Sequence, residues 1–309
     1  MKTTDKIERL LDQAYDSDDP EIVRRLAERV LKLDPTNMEG MILLSDVTDD
    51  PERKITLLAL VKRMLKVCIG EDEQDAGQEF IYSETGMLYV SVLLRLAFAL
   101  FSEGFLGKAL DESQEAMSYD ADEVTPAKIL FYRILLEMKE YRRVLEEGMK
   151  ETDPSAGTLY AIAIATFKLF GAGHRAYDAL WAAIDADPEV PFYIMGYLDE
   201  PEDDADDDII ETFNMAMLYE DAWLSGDDIK LGNWLASATI LLGLTLSLFA
   251  GEEEEKMLVL ADALGVGGQV EDIMVNLESR DDWRLLSEME RWSTAIKLLS
   301  EGSYLPLDE

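Results

Sequence analysis

Residues suited to acid–base or nucleophilic catalysis are scarce in this chain. Its 309 residues include one histidine, His174, and one cysteine, Cys68. A serine or cysteine nucleophile is normally activated by a histidine base. His174 lies in the glycine-containing stretch 171–175, and Cys68 is far from it in sequence. We interpret His174 as an exposed turn residue. A zinc site with two histidine ligands is excluded because there is only one histidine.

Carboxylates are abundant instead, with 65 Asp and Glu against 28 Lys and Arg. With so many acids, a catalytic carboxylate pair cannot be inferred from spacing alone. The run at 203–208 lacks the glycine and the spaced bidentate glutamate of a calcium-binding EF-hand. We interpret its last three residues as acids at the N-terminus of a helix that begins near Ile209. The sequence therefore predicts a protein that is not an enzyme, with no metal and no cofactor.

The net charge of −37 is unevenly distributed. Residues 1–70 hold 14 acids and 12 bases, a net of −2, so the remainder carries −35. Between Arg175 and Lys230 there are 17 acids and no Lys or Arg. Such a field repels nucleic acids and anionic membrane surfaces and attracts basic proteins. One alternative is that residues 176–255 sequester a basic protein or mimic nucleic acid. The other is that the charge confers only solubility, or reflects a proteome that is acidic throughout.

The elements that would position any site are predicted to be helices. A frame of helix, short turn and helix recurs, with apolar residues at helical spacing. It spans residues 4–37, 38–71, 90–123, 125–156 and 157–190. Equivalent positions in the second helices are Val23, Leu57, Ala109, Val144 and Ala176. Beyond Pro188 the frame is lost. Residues 190–196 are predicted to be rich in turns, and further helices follow.

The frame resembles the tetratricopeptide repeat (TPR), a helical hairpin of about 34 residues. The residues that carry the likeness are Ala97, Gly104, Ala109 and Ala116 in one copy, Gly171, Ala176, Ala183 and Pro188 in another, and Asp34 with Pro35 in the first. The resemblance covers residues 4–71 and 90–190. Ala121 departs from the family pattern because it stands where one copy would have its closing proline.

The resemblance implies an all-α fold, a right-handed superhelix of antiparallel helix hairpins with a C-terminal helical extension. It places TPR-like repeats in residues 1–70 and 80–196 and a further helical region in 205–309. Residues 199–208 are expected to form an exposed acidic linker, because eight carboxylates without a local cation must face water.

The resemblance also implies a function, the binding of a protein or peptide on the concave face of the superhelix. Four residues are candidates for partner binding: Phe98, Phe101, Arg133 and Lys168. Ser91, Leu94, Ile129, Leu136, Thr158, Ala161 and Ala165 are predicted to line the same groove. The expected ligand is an extended peptide or a helix with an acidic group near the two cations. The alternative is that these residues are buried between repeats.

Residues 231–251 carry no charge and are long enough to span a bilayer. Polar residues dilute the stretch and no basic cluster flanks it, so we interpret it as a buried helix. The single cysteine and a mixed-charge N-terminus favour the cytoplasm. We therefore expect a cytoplasmic protein with no membrane partner.

Overall fold

The computed structural model describes residues 3–69, 77–202, 204–224, 229–278, 283–302 and 304–305. These residues form helices joined by turns and contain no strand, so the predicted all-α class is confirmed for this part of the chain. The helices are α1 (Thr3–Tyr15), α2 (Pro20–Leu33), α3 (Met38–Asp46), α4 (Pro51–Cys68), α5 (Glu84–Ser102), α6 (Leu106–Met117), α7 (Ala127–Glu137), α8 (Tyr141–Gly148), α9 (Ala156–Phe170), α10 (His174–Ala186), α11 (Val190–Ile194), α12 (Asp207–Leu224), α13 (Ile229–Thr245), α14 (Glu252–Ala263), α15 (Gly267–Glu278) and α16 (Glu288–Glu301). Short 3₁₀ helices cover Gly77–Tyr82 and Trp283–Leu285.

Local sequence explains where several helices begin. Both α2 and α4 begin at a proline preceded by an aspartate, and that aspartate caps the helix. The Asp19 carboxylate accepts a hydrogen bond from the Glu21 amide at 2.9 Å, and Asp50 accepts one from the Glu52 amide at 3.1 Å. Proline suits the first helical position because its missing N–H would have no partner there.

A left-handed residue closes several of the hairpin turns. Gly104, between α5 and α6, has φ +73, and the Phe105 amide donates to the Leu100 carbonyl at 2.9 Å. Lys139 takes the same position between α7 and α8 with φ +59. This hydrogen bond reaches back to the last turn of the preceding helix and reverses the chain. The turn predicted at Gly104 is confirmed.

The chain divides into two compact units, Met1–Ile134 and Leu135–Glu309, and the division falls inside α7. In unit 1, α1 to α6 pack in sequence order, so that each of the first five helices contacts the one that follows it. Ala109 and Ala116 of α6 are fully buried, as predicted for small residues where two helices meet. The domain boundaries predicted near residues 70, 196 and 205 stay predictions.

Unit 2 contains both sequential and long-range packing. The α9–α10 hairpin buries Ala176 and Ala183 completely, as predicted. The last helix, α16, returns to pack against α10 and α13. There the Tyr177 hydroxyl of α10 lies against the carbonyl oxygens of Leu299 and Gly302.

Residues 190–194 correct one sequence prediction. They were expected to form turns, but they form the short helix α11, and all five side chains are buried. Its contacts with α12 and α13 bury it. Five residues are too few to show a helical period, which is why the pattern gave no signal.

Two helices bear on the question of a membrane span. Residues 231–245 of the uncharged stretch at 231–251 lie in α13, where Leu231 and residues 234–245 are buried. In the described part of the chain, α5 is the helix that is long and apolar enough to cross a membrane, and half of its most apolar window is buried inside the protein. A core helix meets the same criterion, so α5 does not by itself indicate a membrane protein.

Candidate functional site

The candidate site begins with a single cation in an apolar helix. Arg95 is the only charged residue between Glu84 and Glu103, a span that covers nearly all of α5. Arg95 is partly exposed and pairs with a carboxylate on α3. Its Nε donates to the two carboxylate oxygens of Asp46 at 3.1 and 3.3 Å, and its Nη1 donates to the Ser91 hydroxyl. The pair therefore ties α5 to α3.

A cavity of about 330 Å³, called here the Phe98 pocket, lies beside this ion pair in unit 1. It is lined by Asp46, Thr48, Asp49, Pro51, Lys54, Arg95, Phe98, Ala99, Ser102 and Glu103. Phe98 and Ala99 supply apolar surface from α5, and the α3–α4 turn supplies two of the polar groups, Thr48 and Asp49. Seven of the ten lining residues are polar or charged, so the pocket combines a small apolar surface with groups that can fix the orientation of a small ligand or a single side chain.

Most of the charge around the Phe98 pocket is already paired. Asp46 holds Arg95, and Asp49 receives a hydrogen bond from Arg24 at 3.2 Å. Arg24 also donates to the Val47 carbonyl at 2.6 Å, which fixes the end of α3. Lys54 and Glu103 are the other two charged lining residues, and they have opposite signs. The lining is thus nearly neutral, in contrast to the whole chain.

Polar side chains link α1, α3 and α5, which are the first helices of the first three hairpins. The Tyr15 phenol of α1 lies beside the Glu39 carboxylate of α3, and partial burial together with that carboxylate raises the pKa of Tyr15. Asp46, two turns further along α3, bonds Arg95 of α5. These two polar contacts connect α1 with α3 and α3 with α5.

The four residues predicted to bind a partner lie in different surroundings. Phe98 lines the pocket and is half-buried. Phe101, also half-buried, lies under Arg133, whose guanidinium carbon is 5.0 Å from the ring centroid. Arg133 itself is only 4% exposed, so its charge is held against an aromatic face inside unit 1. Lys168 is half-buried on α9 in unit 2.

Several residues predicted to line the groove are buried. Leu94, Leu136, Thr158, Ala161 and Ala165 are each less than 9% exposed. For these five positions the structure agrees with the alternative interpretation, in which the side chains are buried among the helices. Ser91 and Ile129 are half-buried.

Sequence reasoning missed Arg95 and Asp46, although a signal for Arg95 was present. It lies four residues after Ser91 and three before Phe98, which places all three on one helical face. A lone charge in an otherwise apolar helix is itself a marker. Asp46 has no comparable signal because its pairing with Arg95 depends on how α3 and α5 each pack against α4.

A second charged cluster in unit 1 joins α4, α5 and α6. Lys62 Nζ lies 2.6 Å from Glu112 and 2.7 Å from Glu115, and Lys66 Nζ lies 2.8 Å from Glu115. The Tyr89 hydroxyl donates to Glu115 at 2.6 Å. Burial alone would raise the pKa of Glu115, but the hydrogen bonds from Lys62, Lys66 and Tyr89 outweigh it and lower that pKa to about 2. The groups satisfy one another, so the cluster serves to join helices.

The remaining residues with chemical potential are dispersed. His174 is exposed at the start of α10, and Cys68 is exposed at the end of α4. Within the described residues there is no group of three metal-ligating side chains. In the acidic segment 199–208, Asp203 lies outside the described residues, and the other acids are exposed. The helix after it begins at Asp207, as predicted.

Comparison with models of protein families, with curated proteins and with solved structures finds no match to this chain.

Proposed function

We propose that this chain is a non-enzymatic binding scaffold of TPR-like helix hairpins that holds a peptide segment of another protein at the Phe98 pocket. The right-handed stacking of the hairpins and their relation to the TPR family are parts of this proposal. What supports it is the pocket itself, a cavity in which the apolar residues Pro51, Phe98 and Ala99 are surrounded by polar and charged side chains, on helices that pack in sequence order. Its volume of about 330 Å³ lies at the lower end of the range for ligand sites.

The lining of the pocket favours one kind of peptide. Phe98 and Ala99 would contact an apolar side chain inserted into the cavity. Thr48 and Ser102 have hydroxyl groups that can bond the main chain of the peptide beside that side chain. Because the charges of the lining nearly cancel, the anchoring side chain should be uncharged. Aromatic and large aliphatic side chains bury the most apolar area in such a pocket.

Selection from a random-peptide display library tests this proposal. We expect the wild-type chain to enrich peptides that share an aromatic or large aliphatic residue. Replacing Ser102, an exposed lining residue, by tryptophan should fill the entrance and weaken binding of the selected peptides by at least about tenfold. The matched control is Gln114→Trp, which adds the same side chain at an exposed position of α6 outside the pocket.

Equal binding of the selected peptides to the wild-type chain and to Ser102→Trp would reject the Phe98 pocket as the binding site. Salt dependence gives an independent criterion. Binding of an apolar side chain should change little between low and high salt, whereas a charge-driven complex weakens steeply.

A second candidate function is the capture of a basic protein by the acidic surface of residues 176–255. The observation that favours it is exposure, because the described acids from Asp199 to Asp208, together with Glu211, Glu220 and Asp221, face solvent. Poly-lysine is a suitable probe. Binding that falls steeply with salt, and that is lost when the acids between 199 and 208 are replaced by Asn and Gln, would support this candidate. Binding unchanged by those replacements would reject it.

A further inference from the structure

Helix α14 in unit 2 exposes apolar side chains that its own packing does not require. Met257 and Ala261 are its buried residues, and they lie one turn apart on the inner face. The three consecutive residues Leu258, Val259 and Leu260 are 41%, 71% and 36% exposed. Val259 lies opposite the buried side of the helix, and Leu258 and Leu260 flank it on either side. Single exposed apolar residues are common, but adjoining ones form a patch of the kind found at interaction surfaces.

Carboxylates surround these apolar side chains. The sequence of α14 holds five acids and one base, Lys256, a net of −4. Glu255 lies one turn before Val259, and Asp262 lies one turn after Leu258, so acids adjoin these two residues, while the single base Lys256 lies one turn before Leu260. The four glutamates of the first turn also interact favourably with the helix dipole. That role explains their charge but not the exposure of the residues that follow them.

We propose that this exposed face of α14 is a docking site for a basic amphipathic helix of another protein. The apolar side of the partner would cover Leu258 and Val259, and its Lys or Arg residues would meet Glu255 and Asp262. Packing one amphipathic helix on another in this manner is an established mode of peptide recognition. The site is independent of the Phe98 pocket, and it differs from capture by charge alone because an apolar contact anchors the partner.

Charge disfavours a second copy of this chain as the occupant. A second copy of this chain would bring another −37 charges to a face that is already negative. Like charges brought together at an interface cost several kcal/mol, so self-association is disfavoured. A basic partner gains attraction from the same field, which also speeds its approach.

A labelled helical peptide of leucine and lysine, with the two residue types on opposite faces, is the probe for this site. The control peptide has the same composition in an order that segregates neither type. We expect fluorescence anisotropy to show tighter binding of the amphipathic peptide. Val259→Ser should weaken that binding by at least about threefold, because the variant removes apolar area from the interface. Glu255→Gln should also weaken it, and more so at low salt.

Val67→Ser is the matched control for the apolar contact, because Val67 is 86% exposed on α4 in unit 1. Glu220→Gln, at an exposed position of α12, is the control for the charge. Circular dichroism of each variant should match that of the wild-type chain.

Three outcomes would overturn the proposal. The first is that Val259→Ser and Val67→Ser bind the amphipathic peptide equally well. The second is that the wild-type chain binds the amphipathic and the control peptide equally well. The third is that the chain forms a dimer in solution that Val259→Asp converts to a monomer. Loss of binding on replacement of the acids at 199–208, with no effect of Val259→Ser, would support capture by charge and reject α14 as the site.

Discussion

The Glu115 carboxylate of α6 accepts hydrogen bonds from side chains of α4 and α5. Lys62, Lys66 and Tyr89 all bond its carboxylate. A carboxylate that accepts charge-assisted hydrogen bonds is held in its ionised form, and its pKa falls to about 2 from the ordinary value of 4.5. The folded state of unit 1 therefore depends on this group being charged.

Glu115→Gln is expected to lower the free energy of unfolding by roughly 1–3 kcal/mol at neutral pH. The pKa is lower in the folded chain than in the unfolded one, so the stabilisation is complete above the unfolded value near 4.5 and is lost as the pH falls toward 2. The difference between wild type and variant should shrink over that window. Urea titrations at several pH values measure it.

Glu8→Gln is the control for this prediction, because Glu8 is exposed on α1. Its effect on stability should be small at every pH. A stability difference for Glu115→Gln that stays constant from neutral pH down to about pH 2 would contradict the assignment of the low pKa.

At the residue scale, composition and spacing predict the buried alanines of the hairpins but not the ion pairs. Ala109 and Ala176 recur in a frame that is visible in one dimension, because small residues are needed where two helices approach closely. The Arg95–Asp46 pair joins residues 49 positions apart. Its formation depends on how α3 and α5 each pack against α4, which no local pattern of the sequence specifies.

At the scale of elements, helix positions were predictable and long-range helix partners were not. Hydrophobic periodicity and proline or glycine positions located α9, α10 and most later helices. That pattern did not indicate that α16 packs against α10. Tyr177 is one of the contacts that hold α16, since its buried hydroxyl lies against the end of that helix. Burial is the main cause that raises the pKa of Tyr177 to about 12.

Tyr177→Phe tests this attachment. The variant keeps the ring but leaves the Leu299 and Gly302 carbonyls without the hydroxyl donor, which should cost about 1–2 kcal/mol of stability. Hydrogen exchange of the α16 amides should become faster, since the helix would open more readily. Tyr82→Phe is the control because the Tyr82 hydroxyl bonds only the exposed Asp122 side chain among the contacts described. Unchanged exchange in α16 would mean that the hydroxyl does not hold it.

At the scale of the whole molecule, the net charge of −37 sets the response to salt. Charges of one sign repel one another in the folded chain more than in the expanded one, so self-repulsion lowers stability. Raising the salt from about 0.01 M to about 1 M shortens the screening length from about 30 Å to about 3 Å. We expect the thermal midpoint to rise by several degrees over this range.

A variant that replaces Asp199, Glu200, Glu202 and Asp204 by Asn and Gln should show a weaker dependence on salt, because four of the exposed charges are gone. Differential scanning fluorimetry gives both curves. A midpoint that is constant or falls with salt would show that the acids are compensated within the fold.

The contact between Tyr177 and the end of α16 also bears on the order in which the chain folds. The hydrogen bond from Tyr177 to Leu299 spans 122 residues, whereas the hairpins of unit 1 pair helices that are adjacent in sequence. Contacts between sequence neighbours form fast, and contacts across long loops form slowly. On the ribosome, unit 1 can therefore assemble while the rest of the chain is being made. Unit 2 must leave the α10 surface open until residues near 300 emerge, and in that interval it is the part exposed to chaperones and proteases.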